Sequence, residues 1–336
     1  MQVISKQNLR GWLTRIAQDH RLIAPTQVSR VILFRPVADV EQVVLDYVNS
    51  VLSPKEWFFP RTDTLFTIER NADGVELTPP TLDQKQVIFG IRPCDARAIT
   101  KQDKVFLGDP PDSNYGQRRT NTTLIGLACA QAAPWCFCTS VGIQPDDAGD
   151  VDVMLKQVGD NYLVESITEK GAELIKLATT TEGEGTFVPA RIQVAVPTEN
   201  LPELMRSAFK EEFWDQAAER CFSCKICVYL CPTCHCFDVR DAYVDGQLQR
   251  LRTWDSCQSP QYNRLAGGYN PRGTKGARLR QFYYHKFLYY PEKWGEYLCV
   301  GCGRCLSNCP VNIDIREMLT TVKKHAATKD PVAETV

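Results

Sequence analysis

With 336 residues, a net charge of −1, 43% hydrophobic and 24% charged residues, the chain has the make-up of a soluble globular protein of about two domains. Near-neutral charge gives no case for nucleic acid or an anionic membrane as partner. Fifteen cysteines in so large a chain, opening on Met-Gln-Val-Ile-Ser-Lys-Gln with no apolar signal core, exclude the disulfide-rich secreted class. They predict a cytoplasmic protein with thiols kept free for metal. No apolar run is fit to cross a membrane.

Leu9, Trp12, Leu13 and Ile16 recur at helical spacing, which predicts an amphipathic helix over 6–19 that Pro25 does not allow to continue. Residues 31–34 read as a short buried strand and 40–48 as a helix. Residues 53–60 (Ser-Pro-Lys-Glu-Trp-Phe-Phe-Pro) are irregular and aromatic, suited to apolar contact with the core. The runs 87–91 and 123–127 are unbroken apolar strands of the kind found in sheets covered on both faces.

Each of these two strands is followed by cysteine: Arg92-Pro-Cys94-Asp95 after the first, and Ala128-Cys129, then Cys136-Phe-Cys138, after the second. Ligands of α/β sheets sit at the carboxyl ends of strands. Cys94, Cys129, Cys136 and Cys138 are therefore a candidate third [4Fe–4S] site, against the plainer reading of small buried hydrophobes. Asp95 is a capping candidate for the next helix. Arg92 and Arg97 carry charge that offsets a thiolate-ligated cluster.

Strands follow near 151–156 and 161–165, a helix over 167–177 and a polar, glycine-rich loop over 179–185. A helix over 201–219 leads into Cys221-Phe-Ser-Cys224-Lys-Ile-Cys227-Val-Tyr-Leu-Cys231-Pro232. The pattern returns as Cys299-Val-Gly-Cys302-Gly-Arg-Cys305-Leu-Ser-Asn-Cys309-Pro310. This C-x2-C-x2-C-x3-C-P spacing holds [4Fe–4S] clusters in bacterial-type ferredoxins, where the fourth cysteine, expected to start a helix, ligates the other cluster. That rule gives cluster 1 from Cys221, Cys224, Cys227 and Cys309, and cluster 2 from Cys299, Cys302, Cys305 and Cys231. Structural zinc prefers paired C-x2-C knuckles set well apart and fits poorly.

Between the motifs lie Cys234, Cys236 and Cys257, unassigned by this scheme. From Gln261 to Tyr290 there are six Lys or Arg and no acid. This basic stretch is a solvated face, compensation for the clusters, or a dock for an acidic partner. The aromatic run Phe282 to Tyr290 reads as a half-buried helix or strand rather than a nucleic-acid surface. The tail after Lys324 is polar and expected to fray. No G-x-G-x-x-G follows a strand and no P-loop occurs, so no nucleotide or flavin site is expected. His20, His235, His285 and His325 form no metal or catalytic pattern, and no catalytic residue is assigned.

These segments together resemble the beta subunit of cytoplasmic NAD(P)-linked sulfhydrogenases, a [NiFe] hydrogenase family, and the closely similar iron–sulfur subunit of anaerobic sulfite reductase. The resemblance runs over nearly the whole chain. It is carried by residues 53–60, Arg92-Pro-Cys94-Asp95, Cys129 with Cys136 and Cys138, 221–236, Trp254-Asp-Ser-Cys257-Gln, Ala266-Gly-Gly and 299–310. It implies an electron carrier in a hetero-oligomer, beside a flavin subunit that handles NAD(P) and another that holds [NiFe] or sirohaem.

The expected fold is α+β: an N-terminal α/β domain over 1–200 with a largely buried sheet and a third iron–sulfur site, then a ferredoxin-like domain over 201–336 holding two [4Fe–4S] clusters, with a basic insert at about 237–295. The rival from another class is a stand-alone reductase with a cluster or flavin at residues 266–280.

Overall fold

The two unbroken apolar runs are strands β6 (Gln86–Ile91) and β7 (Thr122–Leu127), and every residue of β6 is buried. In the computed structural model, which describes residues 1–329, they lie at the centre of an eight-stranded sheet. The other members are β1 (Gln2–Ser5), β2 (Arg21–Val28), β3 (Val31–Pro36), β8 (Val153–Val158), β9 (Asn161–Ser166) and β10 (Thr181–Glu182). The order is β10-β1-β9-β8-β7-β6-β2-β3. Strands β2, β6, β7 and β8 run parallel, and antiparallel strands flank them on both sides. A parallel centre must be covered on both faces, which is why its strands lack polar alternation.

The first helix, α1 (Lys6–Asp19), matches the expected bounds and is capped by Ser5, whose hydroxyl accepts from Asn8 N. It buries Trp12, whose indole N–H donates to Leu174 O at 2.9 Å in α4 (Glu169–Ile175). Between β6 and β7 come α2 (Pro93–Phe106) and α3 (Ser113–Thr120).

Helix α1 does not continue to Pro25, which lies inside β2, beyond the residues that pair with β6, where its missing N–H costs that ladder nothing. Several local expectations are corrected. Only Phe34 of β3 is buried, because β3 is an edge strand. Residues 40–48 make a 3-10 turn, Val40–Gln42, and then an extended path that bridges Thr26 and Val43. Arg92 rather than Asp95 occupies the cap of α2, and Asp95 sits in its first turn, where a carboxylate suits the helix dipole.

A second, four-stranded sheet has the order β11-β12-β4-β5. Its members are β4 (Thr62–Asn71), β5 (Gly74–Thr78), β11 (Phe237–Val244) and β12 (Gln247–Trp254). Strand β12 pairs with β4 through a bulge between Arg250 and Leu251. Arg252, 2% exposed, donates to Asp63 at 2.7 Å and also to Asp112, while Arg118 reaches Asp63 at 2.5 Å.

The chain divides into two units. The first comprises Met1–Ala133, Ile143–Arg191 and Val239–Thr253; the second comprises Pro134–Gly142, Ile192–Asp238 and the chain from Trp254 onward. The second is mostly helical: α5 (Leu201–Ser207), α6 (Phe213–Ala218), α7 (Ile226–Tyr229), α8 (Lys275–Tyr284), α9 (Tyr290–Trp294), α10 (Arg304–Ser307) and α11 (Ile315–Lys329). The helix expected over 201–219 is two helices, α5 and α6. The turn between them is held by Trp214, whose indole N–H donates to Ala208 O at 2.8 Å, and by Arg280, which donates to Phe209 O at 2.7 Å.

Between α8 and α9, residues His285–Tyr289 form a π-helix. Phe282, Tyr283, Tyr284, Phe287, Leu288 and Tyr290 of the aromatic run are buried. All of these but Tyr290 share a core with Leu201, Met205, Trp214, Leu319, Val322, Cys231, Cys234 and Cys299. The tail expected to fray after Lys324 continues in α11, and residues 330–336 lie outside the described residues. No helix among the described residues is long and apolar enough to cross a membrane.

Candidate iron–sulfur centres

The two cysteine motifs fold alike. In the first, Ser223 and Lys225 have φ of 54° and 68°; at the same offsets in the second, Gly301 and Gly303 have 63° and 72°. These left-handed residues turn backbone N–H groups toward sulfur. Ser223 N donates to Cys221 Sγ at 3.4 Å, and Gly301 N donates to Cys299 Sγ at 3.4 Å. Oriented amides of this kind form a concavity for negative charge. The short helices α7 and α10 begin inside the motifs and end before the fourth cysteines, so those cysteines close a helix rather than start one.

The second motif needs glycine for a further reason. Residues 134–142 pass over it, with Phe137 N donating to Gly301 O at 2.9 Å. A Cβ on Gly301 would come within 2.5 Å of Cys138 Cα, and one on Gly303 within 2.5 Å of Trp135 O. Ser223 and Lys225 carry side chains at the matching places and bear the strain of positive φ.

Cys221, Cys224, Cys227 and Cys309 border one largely apolar pocket that Cys305 also lines. Ile313 N donates to Cys309 Sγ at 3.3 Å. Burial, and then the negative charge of Cys221, Cys224, Cys231 and Cys309, pushes the Cys227 thiol well up. Cys305 is raised by burial and then by Cys299, Cys302, Cys231 and Cys227. Thiols that penalise one another's ionisation need cations among them, and coordinated iron meets that need. No group of three or more His, Cys, Asp or Glu side chains among the described residues is arranged to hold a single metal ion. Four thiolates at this spacing suit a cage that takes each on a different iron better than they suit zinc.

The candidate third set is distributed differently. Cys94 stands in the first turn of α2 and Cys129 follows β7, both in the first unit, whereas Cys136 and Cys138 belong to the second. Arg92 donates to Leu127 O and Ala128 O at 3.1 and 3.0 Å, and also to Tyr47 O, so it ties together the ends of strands. Arg97 is paired with Asp150 at 2.5 Å and Asp147 at 3.5 Å.

The cysteines left unassigned also have places. Cys257 and Cys236 are neighbours, and their contact, followed by burial, pushes the Cys257 thiol up. Gln258 Nε2 lies 3.8 Å from Cys257 Sγ. Cys234 touches Cys231, and that contact, then burial, raises its thiol.

Lys286 in the π-helix, 2% exposed, reaches Cys231 Sγ at 3.1 Å, Cys234 Sγ at 3.4 Å and Thr233 Oγ1 at 3.3 Å. Burial pulls its ammonium down, but the negative charge of Cys231, Cys234 and Cys299 outweighs burial and holds it well above its ordinary value. The pattern-based reading missed this residue. Its signal was a lone lysine inside an aromatic run, a position where a cation survives only with a buried partner.

Elsewhere in the basic stretch Arg264 and Lys275 are exposed, whereas Arg278 is buried. Arg278 donates to Arg272 O and Gly273 O at 3.1 and 2.8 Å, and Arg272 to Asn263 Oδ1 at 3.0 Å.

A paired cysteine motif on matching left-handed turns, bordering an apolar pocket, defines a dicluster iron–sulfur protein. A family model described as a 4Fe-4S dicluster domain matches residues 220–313. Sulfhydrogenase 2 subunit beta of Pyrococcus furiosus is 33% identical over 328 residues, covering 93% of this chain and 95% of the relative. The chain belongs to the family of sulfhydrogenase beta subunits and binds iron–sulfur clusters for electron transfer. No solved structure matches it.

Proposed function

We propose that this chain is the iron–sulfur electron-transfer subunit of a cytoplasmic NAD(P)-linked [NiFe] hydrogenase of the sulfhydrogenase type. On this reading it works in a hetero-oligomer beside a flavin subunit that handles NAD(P) and the subunit that holds [NiFe]. Cys221, Cys224, Cys227 and Cys309 hold one [4Fe–4S] cluster in a ferredoxin-like arrangement, and Cys299, Cys302, Cys305 and Cys231 hold the second. Cys94, Cys129, Cys136 and Cys138 hold a third. The clusters supply one-electron storage and transfer. The chain's own residues supply the thiolates, the backbone N–H groups of Ser223, Gly301 and Ile313, and a water-poor surround of Tyr283, Phe282 and Leu279.

The observation that supports the ligand scheme is that Cys309, 78 positions beyond Cys231, borders the same pocket as Cys221, Cys224 and Cys227, whereas Cys231 does not line it. The test is iron per chain in the purified complex and in the isolated subunit, at four irons per cage. About twelve supports three clusters and about eight removes the third. Cys309→Ser should lose the EPR signal of the cluster held by the first triad. Bound flavin together with NAD(P)H oxidation by the isolated chain would overturn the electron-carrier reading.

A further inference from the structure

We propose that Lys286 is a positioning residue that raises the reduction potential of the cluster held by Cys231 above that of the cluster held by Cys309. The inference rests on the ligand scheme proposed above. A buried lysine is costly unless opposite charge faces it. The partners of the Lys286 ammonium among the described residues are the sulfurs of Cys231 and Cys234, the Thr233 hydroxyl, and the ring face of Phe282 at 4.8 Å. It therefore answers the charge on sulfur. Thr233 Oγ1 in turn lies 3.3 Å from Cys231 Sγ, so cation, hydroxyl and sulfur form one closed group.

The backbone is shaped to deliver this contact. The π-helix His285–Tyr289 interrupts an otherwise α-helical run at the lysine, and such widened turns cluster at functional sites. The cluster held by Cys309 receives a different kind of support. The donors to its sulfurs are backbone N–H groups, Ser223 N to Cys221 at 3.4 Å and Ile313 N to Cys309 at 3.3 Å. The cluster held by Cys231 also takes a backbone amide, Gly301 N to Cys299 at 3.4 Å, but the lysine adds a full charge. Net charge and hydrogen bonds to sulfur both set cluster potentials. Reduction adds one electron to the cage and leaves Lys286 with its proton and its bonds unchanged. A fixed full charge beside a ligand sulfur, in a water-excluded core, favours the more negative reduced state more than amide dipoles do.

The test is a dithionite redox titration of the purified holo-subunit followed by EPR, with iron content measured alongside. Lys286→Met keeps the length of the side chain and removes its charge. It should weaken reduction of one cluster at least tenfold, a downward shift of about 59 mV for a one-electron couple, and leave the other cluster in place. Lys286→Arg should hold the potential near that of the wild type. Thr233→Val, which keeps the cation and removes the intervening hydroxyl, should shift the same cluster downward by less. If Lys286→Met fails to fold or to load iron, the Thr233→Val and Lys286→Arg potentials decide the matter. Unshifted potentials with full iron overturn the proposal. Failure of the ligand scheme reads out separately, as Cys231→Ser that keeps all its iron.

Discussion

Asp63 is the acid on which the inserted hairpin of β11 and β12 depends, and replacing it with asparagine isolates that dependence. Its carboxylate, 3% exposed, takes Arg118 at 2.5 and 3.1 Å and Arg252 at 2.7 Å. Arg252 is itself 2% exposed and also engages Asp112. The Asp63→Asn change keeps the shape of the side chain but removes a charge shared by two guanidinium groups and turns an amide donor toward donors. Removing one partner of a buried ion pair costs about 3–5 kcal/mol. At about 2–4 °C per kcal/mol for a unit of this size, the apparent Tm should fall by roughly 6–20 °C.

The assay is circular dichroism at a fixed scan rate on the cluster-loaded chain, with hydrogen exchange across β12 to locate the loosening. The double change Asp63→Leu with Arg252→Met should recover much of the loss, because well-packed apolar replacements of buried pairs are close to neutral. An Asp63→Asn loss below about 1 kcal/mol, the ceiling for solvent-exposed pairs, would refute the reasoning.

Three further outcomes are expected. Gly301→Ala places a methyl group within 2.5 Å of the Cys138 backbone at a φ of 63°; it should displace residues 134–142 and deplete one cluster's iron, and full iron with unchanged proteolysis near Phe137 would contradict this. Stripping iron with a chelator should expose the core that Cys231, Cys234 and Cys299 share with the aromatic run. Hydrogen exchange should then rise in α8 while β6 and β7 stay protected, and equal loss in both units would count against separate cores. His285 gives a pH dependence. Burial, with His235 and Lys286 adding to it, holds its imidazole down at about 3, against 6.5 for the free side chain. Its contribution is therefore complete above pH 6.5 and declines as pH falls, by about 1.4 kcal/mol per pH unit. Between pH 7.5 and 5.5, His285→Phe should lose stability less steeply than the wild type, and parallel curves would show that the imidazole is not held neutral.

The parts legible in the sequence are those fixed by local pattern. Period 3.6 in Leu9, Trp12, Leu13 and Ile16 marked α1, unbroken apolar runs marked β6 and β7, and cysteine spacing marked the paired motifs. Contacts distant in sequence were not legible. Nothing near Arg252 shows that its partner is Asp63, 189 positions earlier, so the membership of β12 in the sheet of β4 was invisible. That Cys136 and Cys138 belong to the unit of the second motif, and Cys94 and Cys129 to the other, is likewise not visible in the sequence. The break between α5 and α6 depends on Arg280, far along the chain, holding Phe209 O. In the second motif, the glycines at 301 and 303 were a trace of close approach, but only the structure identifies residues 134–142 as what approaches.

The interleaving of the two units has a consequence for biosynthesis. A chain emerges from the ribosome at about 5–20 residues per second, so Asp63 waits roughly 10–40 s for Arg252 to follow it. In that interval β4 gains its hairpin partner β5 but not β12, and Asp63 gains only Arg118, 55 positions on. The cysteines of the first motif likewise precede those of the second. Nascent chains of this protein therefore offer an unfinished sheet and bare thiols at the same time, which makes the stretch of translation between the two motifs the window in which a chaperone or an iron-delivery factor has the most to protect.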